Sequence, residues 1–163
     1  MPVSTGESVV GLISDTHGLV RPVALAAFRG GERIVHAGDV GAAKVLAALR
    51  AIAPVTAVRG NNDRGTWAAR LPDRATLTVH GCRLLVIHDR KALGGATVAR
   101  RMAVVVYGHS HRPAVEHRDG ILWVNPGSAG PRRFLLPVTV VRLAVGDHAL
   151  DAEIVPLGNG ISR

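Results

Sequence analysis

The sequence predicts an α/β fold in which two β-sheets pack together with helices on the outside. In the first 60 residues, short apolar runs alternate with helical patterns, which indicates a βαβαβ unit with a parallel sheet. From residue 74 onward several apolar runs adjoin short turns, which favours antiparallel pairing. Two packed sheets with outer helices accommodate both halves of the chain.

Residue patterns place the elements of the first half. Three strands and two helices are predicted, in the chain order VVGLIS (9–14), RPVALAAFRGG (21–31), RIVHAG (33–38), AAKVLAALRA (42–51) and PVTAVRG (54–60). Pro22 stands near the start of the first helix and Gly30 or Gly31 past its end, as is usual at helix termini. Right-handed crossovers should place these helices over the sheet.

The second half is predicted to contain a hairpin, a short helix and further strands. ATLTVHGCRLLVIH turns near His80-Gly81, and ATVARRMA is a short helix that precedes the strand VVVYG. The remaining strands are predicted at PAVEH, ILWVN, VTVVRLAV and LDAEIV. We expect VTVVRLAV and ILWVN to form an exposed edge that a homodimer would cover.

Length and composition favour one globular domain spanning residues 1–163. The chain is 47% hydrophobic, and no linker or repeat divides it. Its apolar stretches are strand-sized, well short of the roughly 20 residues that a membrane span requires. The N-terminal MPVSTGE lacks a basic segment followed by an apolar one, so we expect no secretory signal and a cytoplasmic location.

The formal net charge of +8 would suit a polyanionic partner such as nucleic acid. However, only Lys44 and Lys91 are lysines, and the arginines are scattered along the chain. Aromatic residues make up 3% of the sequence, which leaves little to stack on bases. We therefore regard a dedicated nucleic-acid-binding role as disfavoured, although composition does not exclude that partner.

Polar side chains follow five of the predicted strands. They are Asp15-Thr16-His17, Asp39, Asn61-Asn62-Asp63, His88 and His109-Ser110-His111. Ligands of open α/β sheets bind beyond the carboxyl ends of the strands, so these side chains can gather at one edge. Individually, each has an ordinary structural explanation as a helix cap, a turn or a hydrogen-bonded histidine. Jointly, oxygen and imidazole donors at five strand ends indicate a metal site.

His109 and His111 alternate with Ser110 directly after the apolar run VVVYG. In extended chain, residues i and i+2 project to the same side, so the two imidazoles can converge. Convergent imidazoles suggest a metal, whereas either histidine taken alone is better explained by a hydrogen bond in a turn.

The blocks DTH, AGDV, RGNND, VIHD and YGHSH, in this order, resemble those of the calcineurin-like metallophosphoesterases. The resemblance covers about residues 9–128. The length of the chain and the segment VNPGSAGPRR (124–133) are similar to the small microbial phosphodiesterase branch of that family. It implies a four-layer αββα sandwich of two mixed β-sheets flanked by helices.

The resemblance also implies a dinuclear metal centre. One metal would be held by Asp15, His17, Asp39 and His111, and the second by Asp39, Asn61, His88 and His109. Asp39 would bridge the two, since a carboxylate can span ions about 3.5 to 4 Å apart. Oxygen and imidazole ligands without thiolate fit Mn²⁺, Fe²⁺, Zn²⁺ or Ni²⁺, and affinity order does not choose among them.

The activity implied is hydrolysis of a small or exposed phosphoester by metal-activated hydroxide, with a phosphodiester as the leading substrate class. A phosphomonoesterase or a nuclease on the same centre is the nearest alternative. A protein-binding scaffold like the retromer subunit that resembles these enzymes is an alternative from a different class.

The sequence departs from the family pattern at two positions. Asn62 stands where the family usually has a histidine that protonates the leaving oxygen or stabilises the phosphate, and an amide cannot transfer a proton at neutral pH. Asp89 stands where glycine is common, and it either narrows its loop or places a carboxylate near the ligands.

Four further histidines match no ligand block. For His36, just before AGDV, a packed and hydrogen-bonded strand histidine is favoured over a role beside the metal. We expect His80, His117 and His148 to be structural or exposed.

Overall fold

The computed structural model describes residues 7–94, 99–133, 135–147 and 149–158. Its strands are β1 (Ser8–Ile13), β2 (Arg33–His36), β3 (Val55–Ala57), β4 (Arg74–Val79), β5 (Cys82–Ile87), β6 (Val104–Val106), β7 (Ala114–Arg118), β8 (Ile121–Asn125), β9 (Thr139–Val145) and β10 (Leu150–Pro156). Its helices are α1 (Pro22–Ala27), α2 (Ala43–Arg50), α3 (Thr66–Ala69) and a 3-10 helix (Arg90–Leu93). Part of the helix predicted at ATVARRMA, and His148, lie outside the described residues.

The strands form two mixed sheets of five, which we call sheet A and sheet B. Sheet A has the order β10-β9-β1-β2-β3, with parallel pairing between β1, β2 and β3 and antiparallel pairing of β9 and β10. Sheet B has the order β4-β5-β6-β8-β7, with β5, β6 and β8 parallel. The parallel first half and the partly antiparallel second half were both predicted.

The hairpin of β4 and β5 turns at His80 and Gly81, as predicted. Their φ values are 47° and 78°, and two consecutive residues of positive φ form the turn that matches the twist of a two-residue hairpin. Glycine adopts this conformation without cost, and histidine does so more readily than a β-branched residue.

Three apolar clusters fill the spaces of the sandwich. Leu12 and Val35 of sheet A pack against residues such as Leu84 of sheet B in the central cluster. Phe28, Leu46 and related side chains of the helical segments cover the outer face of sheet A. A third cluster, which contains Met102, Tyr107 and Ile121, covers the outer face of sheet B. The layers therefore agree with the predicted αββα sandwich.

Gly11 on β1 allows the helical layer to lie close to sheet A. A Cβ atom at this position would lie 2.4 Å from a ring carbon of Phe28. That separation is far below van der Waals contact, so the aromatic ring occupies the space that a side chain would need.

The structure corrects three details of the predicted elements. Helix α1 ends at Ala27, so it is shorter than the predicted segment, although Pro22 begins it as predicted. Helix α3 was not predicted, because its four residues are too few to show a helical period. VTVVRLAV and ILWVN contain β9 and β8, which are paired on both sides and so do not form an edge. The sheet order therefore gives no support to a homodimer through these strands.

Within the described residues, no helix has the length and apolar character needed to cross a membrane.

The central cluster should dominate stability, and Leu12 offers a direct test because it is fully buried between the sheets. Leu12→Ala should lower the free energy of unfolding by about 2 to 5 kcal/mol, since it removes buried methyl groups and leaves a cavity. Leu135→Ala is the matched control, because Leu135 is 90% exposed and its loss should stay within about 0.5 kcal/mol. Urea denaturation measures both, and similar losses would contradict the placement of the core.

Candidate metal centre

The carboxyl ends of five strands carry the residues that were predicted to bind metal. In sheet A, Ile13 pairs with His36, and His36 pairs with Ala57, so β1, β2 and β3 end at the same level. In sheet B, Val86 of β5 pairs with Val106 of β6. The loops that follow these ends contain Asp15, His17, Asp39, Asn61, His88, His109 and His111.

Asp15, His17 and His111 form one group of possible ligands. Each offers a donor atom, and these atoms lie within 4.8 Å of one another. The Nε2 atoms of His17 and His111 are 3.4 Å apart, and Nε2 of His111 is 3.3 Å from Oδ1 of Asp15. Two imidazole nitrogens and a carboxylate oxygen therefore point at the same space.

Asp15, Asp39 and His88 form a second group with the same spacing. Nε2 of His88 lies 3.5 Å from Oδ2 of Asp39 and 3.0 Å from Oδ1 of Asn61. The ring centroids of His88 and His109 are 5.2 Å apart, so His109 borders this group. All seven predicted residues therefore meet at this edge of the sandwich.

Both groups share Asp15, and Asp39 also approaches the first group. Oδ2 of Asp39 is 3.8 Å from Nε2 of His17. The family resemblance implies that Asp39 alone bridges the metals. In this structure both carboxylates lie between the two sets of imidazoles.

Oδ1 of Asp15 is a buried oxygen that lacks a hydrogen-bond partner among the described residues. The other oxygen, Oδ2, accepts hydrogen bonds from Oγ of Ser14 at 2.7 Å and from the backbone N–H of His109 at 3.1 Å. An unpaired buried carboxylate oxygen is costly, and a cation beside it would remove that cost. Carboxylate and imidazole donors without thiolate fit a divalent metal ion.

A backbone carbonyl fixes the orientation of the His88 ring. The Nδ1–H group of His88 donates to the carbonyl of Ala37 at 2.8 Å, so Nε2 is the ring nitrogen that faces Asn61 and Asp39. This arrangement is typical of metal-binding histidines, whose second nitrogen is held by a hydrogen bond.

Five of the seven predicted ligands have left-handed backbone conformations. Positive φ values occur at Asp15 (54°), His17 (46°), Asp39 (55°), His109 (75°) and His111 (65°). Among the described non-glycine residues, only two others share this property, and both lie in hairpin turns. Such conformations are costly and persist where the surrounding contacts impose them, which is common at functional sites.

Asp63 is one source of those contacts. Its Oδ2 accepts from the backbone N–H groups of Gly60 at 2.9 Å and Val40 at 3.1 Å, and its Oδ1 accepts from Gly41 at 2.9 Å. The carboxylate therefore joins the loop after β3 to the loop after β2. The sequence marked Asp63 as a polar residue at a strand end but gave it no role.

Gly60 lets these two loops approach each other. A Cβ atom at this position would lie 2.1 Å from the backbone nitrogen of Asp39 and 2.2 Å from its Oδ1. Any larger residue would displace Asp39 from the candidate centre.

His36 joins the loops after β1 and β2. The N–H of Gly38 donates to Nδ1 of His36 at 3.0 Å, so Nε2 carries the proton and donates to Oγ1 of Thr16 at 2.9 Å. Thr16 in turn donates to the carbonyl of Val40 at 2.8 Å. The ring is fully buried, which lowers the pKa of His36 to about 4 and keeps it neutral. This is the packed, hydrogen-bonded histidine that the sequence favoured.

The segment 125–130 forms hydrogen bonds with the loops that carry the candidate ligands. Nδ2 of Asn125 donates to the carbonyl of Gly108 at 3.2 Å and to Oγ of Ser110 at 3.1 Å. Oγ of Ser128 donates to the carbonyl of Asp15 at 3.0 Å. The buried guanidinium of Arg21 donates to the carbonyls of residues 129 and 130 at 3.2 and 3.0 Å. Sequence reasoning assigned no role to Arg21, because a lone arginine before a helix carries no motif.

Asn62 contacts Asp39 twice. Its backbone N–H donates to Oδ1 at 2.9 Å, and its side-chain Nδ2 donates to Oδ2 at 3.0 Å. The catalytic role predicted for Asn62 stays a prediction, and the structure adds a positioning contact. Asp89 caps the 3-10 helix through the N–H of Lys91 at 3.0 Å. Among the described residues, no hydrogen bond or ion pair joins Asp89 to a candidate ligand.

The described histidines other than His36 that match no ligand block are His80 and His117, and both lie outside these groups, as predicted. His80 contacts Ser8 and Glu32, and His117 is exposed on β7.

The electrostatics keep both carboxylates ionised. Burial raises the pKa of Asp39, but hydrogen bonds with His88 and Asn62 outweigh it, so the pKa lies well below its ordinary value. Burial also opposes ionisation of Asp15, yet the neighbouring His111 and His88 hold its pKa below the ordinary value. Burial lowers the pKa of His17, which favours the neutral ring that binds metal.

The fold and the candidate ligands define an α/β sandwich with metal-ligand groups at one sheet edge. The profile of the calcineurin-like phosphoesterase superfamily domain matches residues 9–148. The chain therefore belongs to this superfamily of metal-dependent phosphoesterases.

Individual relatives agree with this assignment. A probable metallophosphoesterase from Methanothermobacter thermautotrophicus is 31% identical over 95% of this chain and 96% of its own length. The solved structure of an archaeal phosphodiesterase has a TM-score of 0.75 at 22% identity, covering 91% of this chain and 99% of that one. The structure of Vps29 from Entamoeba histolytica complexed with Zn²⁺ has a TM-score of 0.65 at 19% identity, covering 91% and 98%. At these identities, the two structures show the shared fold alone.

His36 should make the protein sensitive to acid. Its pKa is about 4 in the folded state against 6.5 ordinarily, so below pH 6.5 the unfolded state binds the extra proton. The stability that neutral His36 provides is therefore complete above pH 6.5 and falls as the pH approaches 4. Between pH 7 and 5, wild type should lose on the order of 2 kcal/mol more unfolding free energy than His36→Gln.

Urea denaturation at the two pH values measures this difference. His117→Gln is the matched control, because His117 is exposed and the variant should follow the wild-type pH dependence. Equal losses in wild type and His36→Gln would show that His36 is not held neutral by its buried site.

Proposed function

We propose that the protein is a phosphodiesterase that hydrolyses a small or exposed phosphoester at a centre of two divalent metals, within one domain spanning residues 1–163. The observation that carries this proposal is the convergence of two groups of donor side chains that share the buried Asp15, with Asn61 and His109 beside the second group. Membership of the superfamily supports ester hydrolysis, and the archaeal structure described as a phosphodiesterase supports the diester.

We assign the ligands as the family resemblance implies. One metal would be held by Asp15, His17, Asp39 and His111, and the second by Asp39, Asn61, His88 and His109. When bound, two such cations would supply a water of lowered pKa and neutralise charge on the phosphoryl oxygens. The two observed groups of donors support this division, and the position of Asp15 in both groups makes it a second candidate bridge.

The chain's own residues orient these donors. The carbonyl of Ala37 accepts from Nδ1–H of His88 and so turns Nε2 toward the centre, and the two donors of Asn62 hold both oxygens of Asp39. Asn62 cannot release a proton to a leaving group. The substrate's leaving oxygen must therefore depart as an anion or take its proton from another group or from water.

Protein binding on the same fold is a second candidate, since Vps29 shares this architecture. The presence of every expected ligand favours hydrolysis as the main function. A scaffold role would be additional to it.

Metal content tests the centre directly. After reloading with excess Mn²⁺, wild type should contain close to two metal ions per chain by elemental analysis. Asp39→Ala should lose more than one, because Asp39 is assigned to both metals. The matched control is Asp151→Ala, an exposed carboxylate on β10 that should leave the content unchanged. Circular dichroism checks that the variants are folded, and wild type without bound metal would overturn the proposal.

The leaving group tests the role of position 62. Phenolates depart without protonation, whereas alkoxides depend on an acid, and general acid catalysis contributes about 10² to 10⁴ in rate. Wild type should therefore prefer aryl to alkyl diesters. Asn62→His restores a possible donor, so kcat/KM should improve more for alkyl esters than for aryl esters.

Comparing paired substrates at one metal loading cancels uniform losses of folding or occupancy. The variant must retain both metals, because Asn62 also contacts Asp39. Equal changes for the two leaving groups would mean that position 62 does not govern protonation.

A further inference from the structure

A cleft of about 560 Å³ opens directly beside the candidate centre. Asn61 and His88, two of the assigned ligands, form part of its wall, so a molecule bound at the centre can extend into it. A volume of this size is typical of small-molecule sites.

Three arginines line the cleft, and two of them are available to a ligand. Arg59 forms an ion pair with Asp73 at 2.7 Å, so its charge is already balanced. Arg64 and Arg74 are exposed and have no ion pair among the described residues. Their positive charges therefore face the cleft without a partner.

The carboxylates of the cleft do not balance those two charges. Both oxygens of Asp63 are occupied by backbone N–H groups, and Asp63 is buried. Oδ1 of Asp89 accepts from the backbone of Lys91, which leaves one partly exposed oxygen. Two free guanidinium groups against one partly engaged carboxylate make the cleft favourable for an anion.

The two arginines are attached to the framework that builds the centre. Arg64 follows Asp63, whose carboxylate joins the loops after β2 and β3. Arg74 begins β4 and pairs with Ile87, the residue before His88. Both arginine backbones are thus fixed relative to the candidate ligands.

The lining of the cleft favours a phosphate group over a nucleobase. Among the described residues that line it, the only ring is the imidazole of His88, an assigned metal ligand, so the cleft has no Phe, Tyr or Trp on which a nucleobase could stack. Guanidinium groups are well suited to bind phosphate through paired N–H donors.

We propose that Arg64 and Arg74 bind a second phosphate of the substrate while its diester lies at the metal centre. The substrate class is therefore a phosphodiester that carries another phosphate group nearby in the same molecule. This inference rests on the proposed function, since it takes the metal centre as the place of hydrolysis.

Two substrates that differ by one phosphate test the proposal. They are the p-nitrophenyl ester of thymidine 5′-phosphate and the same ester with an added 3′-phosphate. In each, water adds to the 5′ phosphorus and p-nitrophenolate leaves, so the chemistry is identical. With Mn²⁺-reloaded enzyme, the 3′-phosphate should raise kcat/KM about tenfold, and added salt should reduce this advantage.

The double variant Arg64→Gln/Arg74→Gln should reduce the advantage of the 3′-phosphate to less than about twofold. The matched control is Arg142→Gln, because Arg142 is exposed on β9 and does not line the cleft. It should keep the wild-type ratio. A ratio near one in wild type, or an unchanged ratio in the double variant, overturns the proposal.

A binding measurement separates this inference from the proposed function. Calorimetry should show that thymidine 3′,5′-bisphosphate binds about tenfold more tightly than thymidine 5′-phosphate, and that the double variant loses this difference. If the reloaded enzyme hydrolyses neither ester, the proposed function fails, and equal affinities of the two nucleotides then overturn the cleft assignment as well. If the first ester is hydrolysed and the 3′-phosphate adds nothing, only the cleft assignment fails.

Both a small bisphosphate and a short single strand present this chemistry. Hydrolysis of a thymidine pentanucleotide with the same dependence on Arg64 and Arg74 would assign the second phosphate to nucleic acid. Dependence confined to the 3′-phosphorylated ester would assign it to a small molecule.

Discussion

Two buried carboxylates, Asp15 and Asp39, converge at one edge of the sandwich, and the surrounding structure is arranged to hold them there. Burying two negative charges close together is costly unless donors or cations compensate them. His88 and the donors of Asn62 compensate Asp39, while Ser14 and the backbone of His109 satisfy one oxygen of Asp15. The remaining oxygen faces the imidazole nitrogens of His111 and His88 and has no hydrogen bond among the described residues, so a cation bound at this edge would satisfy it.

The geometry of the edge depends on contacts made by residues that do not face the metal space. Asp63, His36 and Ser128 each connect two loops, and each uses main-chain partners. Main-chain hydrogen bonds fix where a loop lies, whatever its side chains are. They account for the left-handed backbone at Asp15 and Asp39, which isolated loops would rarely adopt.

The fold class and the meeting of the candidate ligands at one edge could be predicted because they depend on order along the chain. Apolar runs alternating with helical patterns specified the parallel half, and the donor after each run marked the edge. The supports of the site could not be predicted in this way. Arg21 reaches the carbonyls of residues 129 and 130, more than 100 positions away, and no local pattern encodes such a contact. The prediction that β8 and β9 form an exposed edge was wrong for the same reason, because the sequence of a strand does not show which strands pair with it.

The candidate centre takes its ligands from both halves of the sandwich. Asp15, His17, Asp39 and Asn61 follow strands of sheet A, whereas His88, His109 and His111 follow strands of sheet B. A cation held by both sets can bind only when the sheets are docked, so its binding free energy adds to the stability of their association. The metal would then cross-link the two sheets, and the distance between the sheets would determine the affinity of the site for the ion.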